Sequence, residues 1–412
     1  MILLDFTKSE LINWVESVGF PKFRGSQLYD ALINGKDENS KTNLPKDILI
    51  KVSELGIMQP IKIVQIQESK KEHNVKFLYK LNDGHLIEGM LMQYKFGNTL
   101  CVSTQVGCKM NCAFCASGLN GWLRNLSSGE ILGQIVAVNS WLGGTAKERK
   151  ITNVVLMGMG EPLDNYDNVV KFLKCATKES FEFSCRNISL STCGITPKIE
   201  KLADEGLPVT LCISLHAPND SIRKTIIPIA RNYSIHAVLE AAKYYYTMTN
   251  RRIIIEYTVI KGVNDSFANA KELSELLANL PCHVNVIKLN EVKERGLKAP
   301  TQDACQQFVN TLNRFGISAT TRRTLGDDID GACGQLRNKV ATNAEGGEKL
   351  SVASYKEVKQ PKKSIKTNKV SDKNKKYFDK NKKSNTISKR HGGVSESKSN
   401  KNPKQRLHRQ GR

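Results

Sequence analysis

The sequence lacks the features of membrane and secreted proteins. None of its apolar runs approaches the roughly 18 residues that a membrane span needs. The first residues, MILLDFTKSE, have no basic flank before an apolar core, so we expect no secretory signal. Cysteine is sparse, with 11 among 412 residues, an odd number at uneven spacing. This excludes a disulfide scaffold and favours a reducing compartment with metal or redox chemistry.

Acidic residues are scarce relative to basic ones, and the imbalance is local. The chain has 62 Lys and Arg against 40 Asp and Glu, a formal net charge of +22. Residues 349–412 hold 21 of the basic and 4 of the acidic residues, which leaves +5 for residues 1–348. Because the segment 346–412 is also poor in apolar residues, we predict a disordered, basic, low-complexity tail.

Residues 1–95 are predicted to form a small accessory domain. Thr7 and Glu10 form a capping-box pattern before a helical repeat of apolar residues, and two further helical patterns follow. The period then changes to two, with Asn82-Asp83-Gly84 as a hairpin turn signal. Strands are expected around residues 62–66, 75–79 and 86–90.

Residues 96–345 are predicted to form a second domain of the α/β class. Short β-rich runs alternate with helical patterns, one of them behind a capping box at Ser127 and Glu130, and this alternation predicts a parallel sheet. Such sheets carry their chemistry at the carboxyl ends of the strands. The six expected strands are 100–103, 153–157, 187–190, 209–215, 253–259 and 284–287.

A cysteine triplet follows the first of these strands. Cys108, Cys112 and Cys115 have the spacing CxxxCxxC, with Phe114 before the last cysteine. Three thiolates can hold three irons of a [4Fe–4S] cluster and leave the fourth iron open to a substrate. Zinc, which usually takes four ligands in two pairs, and unligated thiols are the alternatives. The position and spacing of the triplet favour the open cluster.

These residues resemble the signature of the radical S-adenosylmethionine (SAM) superfamily, and neighbouring motifs narrow the resemblance to the RlmN family. Members of that family methylate carbon 2 of an adenine in 23S rRNA and in some tRNAs. The resemblance covers roughly residues 5–340 and implies a radical SAM partial (β/α)6 barrel with an RNA-engaging accessory domain. Its motifs are LCVSTQVGC at 100–108, MGMGEPL at 157–163, SLST at 189–192, SLHAPND at 214–220 and GDDIDGACGQL at 326–336.

The resemblance implies two cofactors and the residues that bind them. Cys108, Cys112 and Cys115 match the ligands of the [4Fe–4S] cluster, whose open iron binds SAM. Glu161 is suited to accept a hydrogen bond from the SAM ammonium group, and two glycines before it let the backbone approach a ligand. The implied SAM contacts are Gly160, Glu161, Ser191, Ser214, Leu215, His216 and Asn290.

The resemblance also assigns the methyl transfer itself. Carbon 2 of adenine is electrophilic and unactivated, so a direct polar methyl transfer would fail. In the family, one SAM methylates the thiolate that matches Cys333, a second SAM supplies radical chemistry, and the thiol that matches Cys101 releases the product through a transient disulfide. Glu88 matches the proton acceptor. The remaining cysteines are assigned as core thiols: Cys175, Cys185, Cys193, Cys212, Cys282 and Cys305.

Two other functions stay open at this stage. A sister family methylates carbon 8 of the same adenine and confers antibiotic resistance, although Gly-Glu-Pro-Leu at 160–163 and Ala-Pro-Asn at 217–219 favour the carbon-2 family. A non-catalytic iron–sulfur RNA-binding protein would need neither an open iron nor the Cys101 and Cys333 pair. The expected partners are 23S rRNA, tRNA and a flavodoxin-type electron donor, for a monomeric cytoplasmic enzyme. Arg124 and Arg322-Arg323 are candidates for phosphate contacts.

The basic tail generates the first prediction. Truncation after Glu348 should raise the KM for RNA at low salt, flatten its salt dependence and leave kcat nearly unchanged, because tail contacts are equal in the ground and transition states. For each phosphate that the tail neutralises, the slope of the logarithm of the RNA binding constant against the logarithm of the salt concentration should change by about −0.7. The measurement is the RNA KM of the full-length and truncated enzymes across a salt series. Identical slopes would mean that the tail is only solvated, and a collapse of kcat would mean that it reaches the active site.

Overall fold

The computed structural model of the chain describes residues 1–322, 328–329 and 334–338; the predicted tail and Cys333 lie outside them. The strands in this part are β1 (Ile61–Glu68), β2 (Val75–Leu81), β3 (Leu86–Tyr94), β4 (Gly97–Cys101), β5 (Gln105–Gly107), β6 (Trp122–Asn125), β7 (Asn153–Leu156), β8 (Ile188–Thr192), β9 (Thr210–Ser214), β10 (Ile253–Val259), β11 (Cys282–Lys288) and β12 (Ala319–Thr321). The α-helices are α1 (Lys8–Ser17), α2 (Lys22–Ile33), α3 (Lys46–Leu55), α4 (Ser128–Trp141), α5 (Tyr166–Lys178), α6 (Thr196–Asp204), α7 (Asp220–Ile226), α8 (Ile235–Thr249), α9 (Phe267–Leu277) and α10 (Gln302–Arg314). Among the described residues, no helix combines the length and the apolar character that crossing a membrane requires.

One sheet of 10 strands organises the described residues, in the order β1-β2-β3-β4-β7-β8-β9-β10-β11-β12. The first four strands pair antiparallel, and every neighbouring pair from β4 onward is parallel. The predicted α/β class is therefore confirmed, and each of the six expected parallel strands is present with ends shifted by up to three residues. The strand β12 was not expected, because three residues are too few to show a period.

The sheet buries a different set of side chains on each of its faces. In β2, Phe77 and Tyr79 belong to the main core, where the Phe77 ring meets Trp141 of α4 edge-on at 5.2 Å between centroids. The alternate residue Leu78 packs in a separate cluster with Val64 on the opposite face. Since side chains alternate along a strand, this second face is the one that continues toward the cavity described below.

The N-terminal helices pack in the same core as the sheet. The predicted capping box is present: the Glu10 N–H donates to Thr7 Oγ1 at 3.2 Å, and the Thr7 N–H donates to Glu10 Oε2 at 2.8 Å. Asp5 joins this module to α4, because Asp5 Oδ1 accepts from the Gly129 N–H at 2.6 Å. The strands β1 to β3 continue directly into the parallel strands of the sheet. The division at residue 95 stays a prediction.

A buried glutamine fixes the chain where it leaves β4. The Gln134 amide of α4 accepts from the Ser103 N–H and donates to the Ser103 carbonyl, both at 2.9 Å. The Ser103 hydroxyl donates to the Glu88 carbonyl at 2.7 Å and accepts from the Met159 N–H at 2.9 Å. These bonds connect α4, β3 and the loop after β7 at the carboxyl end of the sheet.

Gln134→Leu should therefore destabilise the fold. The substitution leaves two buried backbone groups of Ser103 without partners, and each such group costs about 1–3 kcal/mol. We expect the free energy of unfolding, measured by urea denaturation, to fall by about 2–5 kcal/mol. Gln306→Leu is the control, because the exposed Gln306 amide contacts Asn310 on the surface of α10. Equal losses for the two variants would contradict the role of Gln134.

Candidate active site

A cavity of about 360 Å³ lies at the carboxyl ends of the parallel strands. It gathers residues from Lys76 to Arg322, which lie far apart in the chain, as the parallel register predicts. The predicted site residues that line it are Glu88, Cys101, Cys108, Cys112, Cys115, Gly160, Glu161, Ser191, Ser214, His216 and Asn290.

The cysteine triplet lies in a loop between the short strands β5 and β6. Backbone bonds hold this loop from two sides: the Cys108 N–H donates to the Gly121 carbonyl at 3.0 Å, and the Ala113 N–H donates to the Ile226 carbonyl of α7 at 2.8 Å. Arg295 adds a third tie, with Nη2 at 2.7 Å from Asn111 Oδ1. The loop is therefore positioned by contacts that do not involve its thiols.

The surroundings of the triplet fit a cluster of irons. Burial raises the pKa of the Cys112 thiol well above its ordinary value, with Cys115 and Cys108 as further causes, and burial raises the pKa of Cys108 to about 12. Thiolates in this loop therefore require a cationic group beside them. Within the described part of the chain, no three Cys, His, Asp or Glu side chains are grouped to hold one metal ion. A [4Fe–4S] cluster needs no such convergence, because its thiolates bind different irons.

Gly160 and Glu161 lie in the segment after β7 and form part of the cavity wall. Gly160 has φ +103°, and a Cβ there would lie 2.6 Å from the Gln105 side chain, so only glycine fits. Glu161 is buried and accepts from the Leu163 N–H at 3.0 Å and the Cys193 N–H at 2.8 Å. Burial raises the pKa of Glu161. A cationic ligand in the cavity would therefore stabilise the ionised carboxylate.

Hydroxyl and amide groups follow the neighbouring strands. Ser191 and Ser214, at the ends of β8 and β9, have their hydroxyl oxygens 3.2 Å apart. Asn290 reaches the cavity from the segment after β11. Leu215 lies behind this wall, fully buried, with its N–H donating to the Glu256 carbonyl at 3.2 Å. Its assignment as a SAM contact stays a prediction.

His216 is a buried neutral imidazole. Its Nδ1 accepts from the Thr258 N–H at 2.9 Å, so the ring proton lies on Nε2. Burial lowers the pKa of His216 to about 3, with the Arg223 charge as a second cause. Its backbone has φ +57°, a left-handed conformation that is rare for residues other than glycine. The ring meets Phe114 of the cysteine loop at 4.7 Å between centroids.

Cys101 and Glu88 lie on the adjacent strands β4 and β3. Cys101 packs in a small cluster with Met90 and Met92, and Ile329, four residues before Cys333, packs against the same cluster. On the other side of Cys333, the Gly334 N–H donates to Glu88 Oε1. Cys333 lies outside the described residues, and both described segments that flank it contact the walls of this cavity.

Several cavity residues escape sequence reasoning. Cys193 was assigned as a core thiol, yet it lines the cavity and its backbone holds Glu161. Lys76 and Glu256 also line it. Arg322, predicted from the sequence as a candidate phosphate contact, lines it as well, and its Nη1 lies 3.5 Å from Glu256 Oε2. Cys193 directly follows β8, and this position at the carboxyl end of a strand could have indicated that it lies near the cavity. Glu256 and Lys76 lie inside strands, where the sequence pattern does not distinguish them from surface residues.

Arg124 differs from its predicted role. Its guanidinium forms a two-pronged pair with Glu130, at 2.7 and 2.9 Å, and its Nε donates to Asp83 at 2.6 Å. These carboxylates occupy the donors that a phosphate would need. Arg124 therefore joins the β2–β3 turn to α4, and the prediction of a phosphate contact at this residue loses its support.

Comparisons with known proteins agree with this geometry. Residues 102–273 match the family model of the Radical SAM superfamily. A protein of Clostridium beijerinckii, named a probable dual-specificity RNA methyltransferase RlmN, is 47% identical over 83% of this chain and 96% of its own length. A namesake from Clostridium novyi is 45% identical over 83% of this chain and 99% of its own. The crystal structure of a radical SAM methyltransferase from Sphaerobacter thermophilus superposes with a TM-score of 0.77 at 38% identity, covering 81% of this chain and 98% of that one.

The neutral state of His216 generates a prediction about pH. The pKa of His216 is about 3 in the folded chain, against 6.5 ordinarily, so the unfolded state binds an extra proton between these values. Stability therefore falls as the pH drops through this window, by up to about 1.4 kcal/mol per pH unit from this residue. His216→Gln should remove about 2 kcal/mol of the difference in unfolding free energy between pH 7 and pH 5.

Urea denaturation of both proteins at the two pH values measures this effect. His236→Gln, an exposed position on α8, is the matched control and should keep the slope of the parent protein. If His216→Gln also keeps that slope, His216 is not buried as a neutral group.

Proposed function

The chain belongs to the RlmN family of the radical SAM superfamily, and from this premise we propose that it methylates carbon 2 of an adenine in 23S rRNA and in tRNA. The adenine in 23S rRNA would lie in the peptidyl-transferase region, and the tRNA target would be adenine 37 of some tRNAs. One observation carries the proposal: Cys101, Glu88 and the cysteine triplet line one cavity, and segments on both sides of Cys333 contact its walls.

Members of this family use a [4Fe–4S] cluster and SAM, and so does this chain. We assign the cluster to Cys108, Cys112 and Cys115, because their loop is partly buried, lined by apolar side chains and held by backbone bonds at Cys108 and Ala113. When bound, the two cofactors supply the one-electron chemistry that lets a methyl group add to an unactivated ring carbon.

The polar wall suits the amino-acid end of SAM. Glu161 offers a buried carboxylate to the ammonium group, and Gly160 allows close approach of the backbone. Ser191 and Ser214 supply hydroxyl groups from β8 and β9, and Asn290 supplies an amide group from the segment after β11. Neutral His216 offers Nε2–H as a donor. This set binds a zwitterion through one carboxylate and several neutral groups.

The methyl group would travel through protein sulfur. In this proposal the Cys333 thiolate carries the methyl group, Glu88 accepts the proton that leaves carbon 2, and the Cys101 thiolate attacks the Cys333 sulfur. That attack breaks the bond between the Cys333 sulfur and the transferred carbon, which is by then attached to the adenine ring. The carbon keeps the electron pair of this bond and takes up a proton to become the new methyl group, while the two sulfurs form a Cys101–Cys333 disulfide that an external reductant must later reduce. The methionines around Cys101 give its sulfur an adaptable apolar setting.

The remaining partners follow from the same proposal. A flavodoxin-type protein would donate electrons, the enzyme would act as a cytoplasmic monomer, and residues 1–95 would help to engage RNA. Next to the cysteine loop, Trp122 and Leu123 of β6 are exposed, and the Lys109 ammonium lies 5.5 Å from the Trp122 ring centroid. Aromatic and cationic side chains of this kind suit the bases and phosphates of a single-stranded segment.

Anaerobic incubation with SAM, reductant and RNA tests the proposal. Mass analysis of the digested RNA should show 2-methyladenosine. Formation of 8-methyladenosine would instead support the sister activity, and the absence of any product from a cluster-loaded enzyme would support a non-catalytic RNA-binding protein.

Cysteine variants test the assigned roles. Cys333→Ala should abolish turnover and keep the iron content, whereas Cys101→Ala should stall with RNA covalently attached, because nothing resolves the adduct. Cys112→Ala should lose the cluster absorbance and SAM cleavage together. Cys185→Ala, half-buried and outside the cavity lining, is the control and should behave like the parent. Normal turnover by Cys101→Ala would contradict its role.

A further inference from the structure

A buried ion pair lies between β2 and β3. Lys76 is 2% exposed, Glu88 is 1% exposed, and Lys76 Nζ lies 2.7 Å from Glu88 Oε1. In the antiparallel register Lys76 is opposite Met90, two residues beyond Glu88, so the two side chains share the face of the sheet that leads to the cavity. Removing two charges from water costs several kcal/mol per ion, so a pair this deeply buried needs further hydrogen bonds.

Those further bonds come from a distant part of the chain. The Gly334 N–H donates to Glu88 Oε1, and the Arg337 N–H donates to Glu88 Oε2 at 3.1 Å. Residues 335–338 form a single helical turn, and Glu88 accepts from the amides at its start. Hydrogen bonds from N–H groups to a carboxylate are roughly twice as strong as neutral ones.

The same segment docks closely on the loop after the cysteine triplet. Gly334 has φ +86°, and a Cβ there would lie 2.6 Å from the Ser117 amide nitrogen, so only glycine allows this approach. Asn338 Nδ2 donates to the Ala116 carbonyl at 2.8 Å and Asn338 Oδ1 accepts from Asn120 at 3.0 Å. The segment 334–338 thus connects the triplet loop to the β2–β3 face.

We propose that the Lys76–Glu88 pair is a positioning device that anchors the segment 334–338, which directly follows Cys333 in the chain, against the wall of the cavity. Lys76 is a positioning residue in this scheme: it stabilises the ionised Glu88, and ionised Glu88 holds the two backbone amides. The consequence for turnover rests on the function proposed above for Cys333, whereas the anchoring itself does not.

Hydrogen–deuterium exchange of the full-length, cluster-loaded enzyme without RNA tests the anchor. In Lys76→Met and in Glu88→Gln, the amides of residues 334–338 should exchange at least about tenfold faster, while amides of β7 to β11 keep their rates. Lys62→Met, an exposed lysine on β1, is the matched control and should leave the segment protected.

A double variant separates anchoring from folding. Lys76→Met leaves the buried Glu88 carboxylate without the ammonium group that it contacts and should lower the melting temperature, whereas Lys76→Met combined with Glu88→Gln removes both members of the pair and should regain part of that loss. The exchange of residues 334–338 should stay fast in the double variant. The glutamine side chain that Glu88→Gln introduces has one oxygen that accepts and one NH2 group that only donates, so it cannot replace both carboxylate oxygens that accept from the Gly334 and Arg337 N–H groups. Segment protection that returns together with the melting temperature would overturn the proposal.

Measurements of turnover test the consequence of the anchor for activity. With the parent enzyme active, Lys76→Met should lower kcat at least about tenfold and change the RNA KM and the iron content less than twofold, because only the segment beside Cys333 is displaced. Unchanged exchange in both single variants, or equal loosening of the whole sheet, would overturn the anchor. A parent enzyme without methylation activity whose segment still loosens in Lys76→Met would refute the proposed function and leave the anchor standing.

Discussion

Parallel pairing from β4 to β12 is the constraint on which the rest of this structure depends. Because every strand in that run points the same way, the segments that follow the strands all emerge at one edge of the sheet. Cys101, Glu161, Ser191, His216 and Asn290 come from five different strands or strand ends, and they meet around one cavity for this reason alone. The antiparallel β3 adds Glu88 to the same wall.

The cavity wall combines buried charges with neutral donors. Glu161 and Glu88 each accept hydrogen bonds from two backbone N–H groups, which stabilise the ionised carboxylate. His216 stays neutral, because burial and the nearby Arg223 both disfavour its charged form. The result is a preorganised polar wall facing an apolar cysteine loop, an arrangement suited to a zwitterion beside a cluster of irons.

Polar ties between layers keep this wall rigid. Gln134 and Ser103 connect α4, β3 and the loop after β7. Lys76 of β2 and Glu88 of β3 connect these two strands to the segment 334–338. Glu88 takes part in both ties, through its backbone carbonyl in the first and its carboxylate in the second. A displacement of β3 would therefore disturb both the loop after β7 and the segment 334–338.

The sequence by itself determined the features that depend on near neighbours in the chain. The capping boxes at Thr7 and Ser127, the six longer parallel strands and the cysteine triplet all follow from spacings of a few residues, and each lies where those spacings indicate. The resemblance to a known family also named 11 of the residues that line the cavity. The sequence did not indicate which groups would meet in the folded chain: Glu88 with Lys76 and with the amides of Gly334 and Arg337, Arg124 with Asp83, and Cys193 with Glu161. A strand pattern records which face a residue occupies, but the partner across that face is set by sheet register and by segments hundreds of residues away, which leave no local signal.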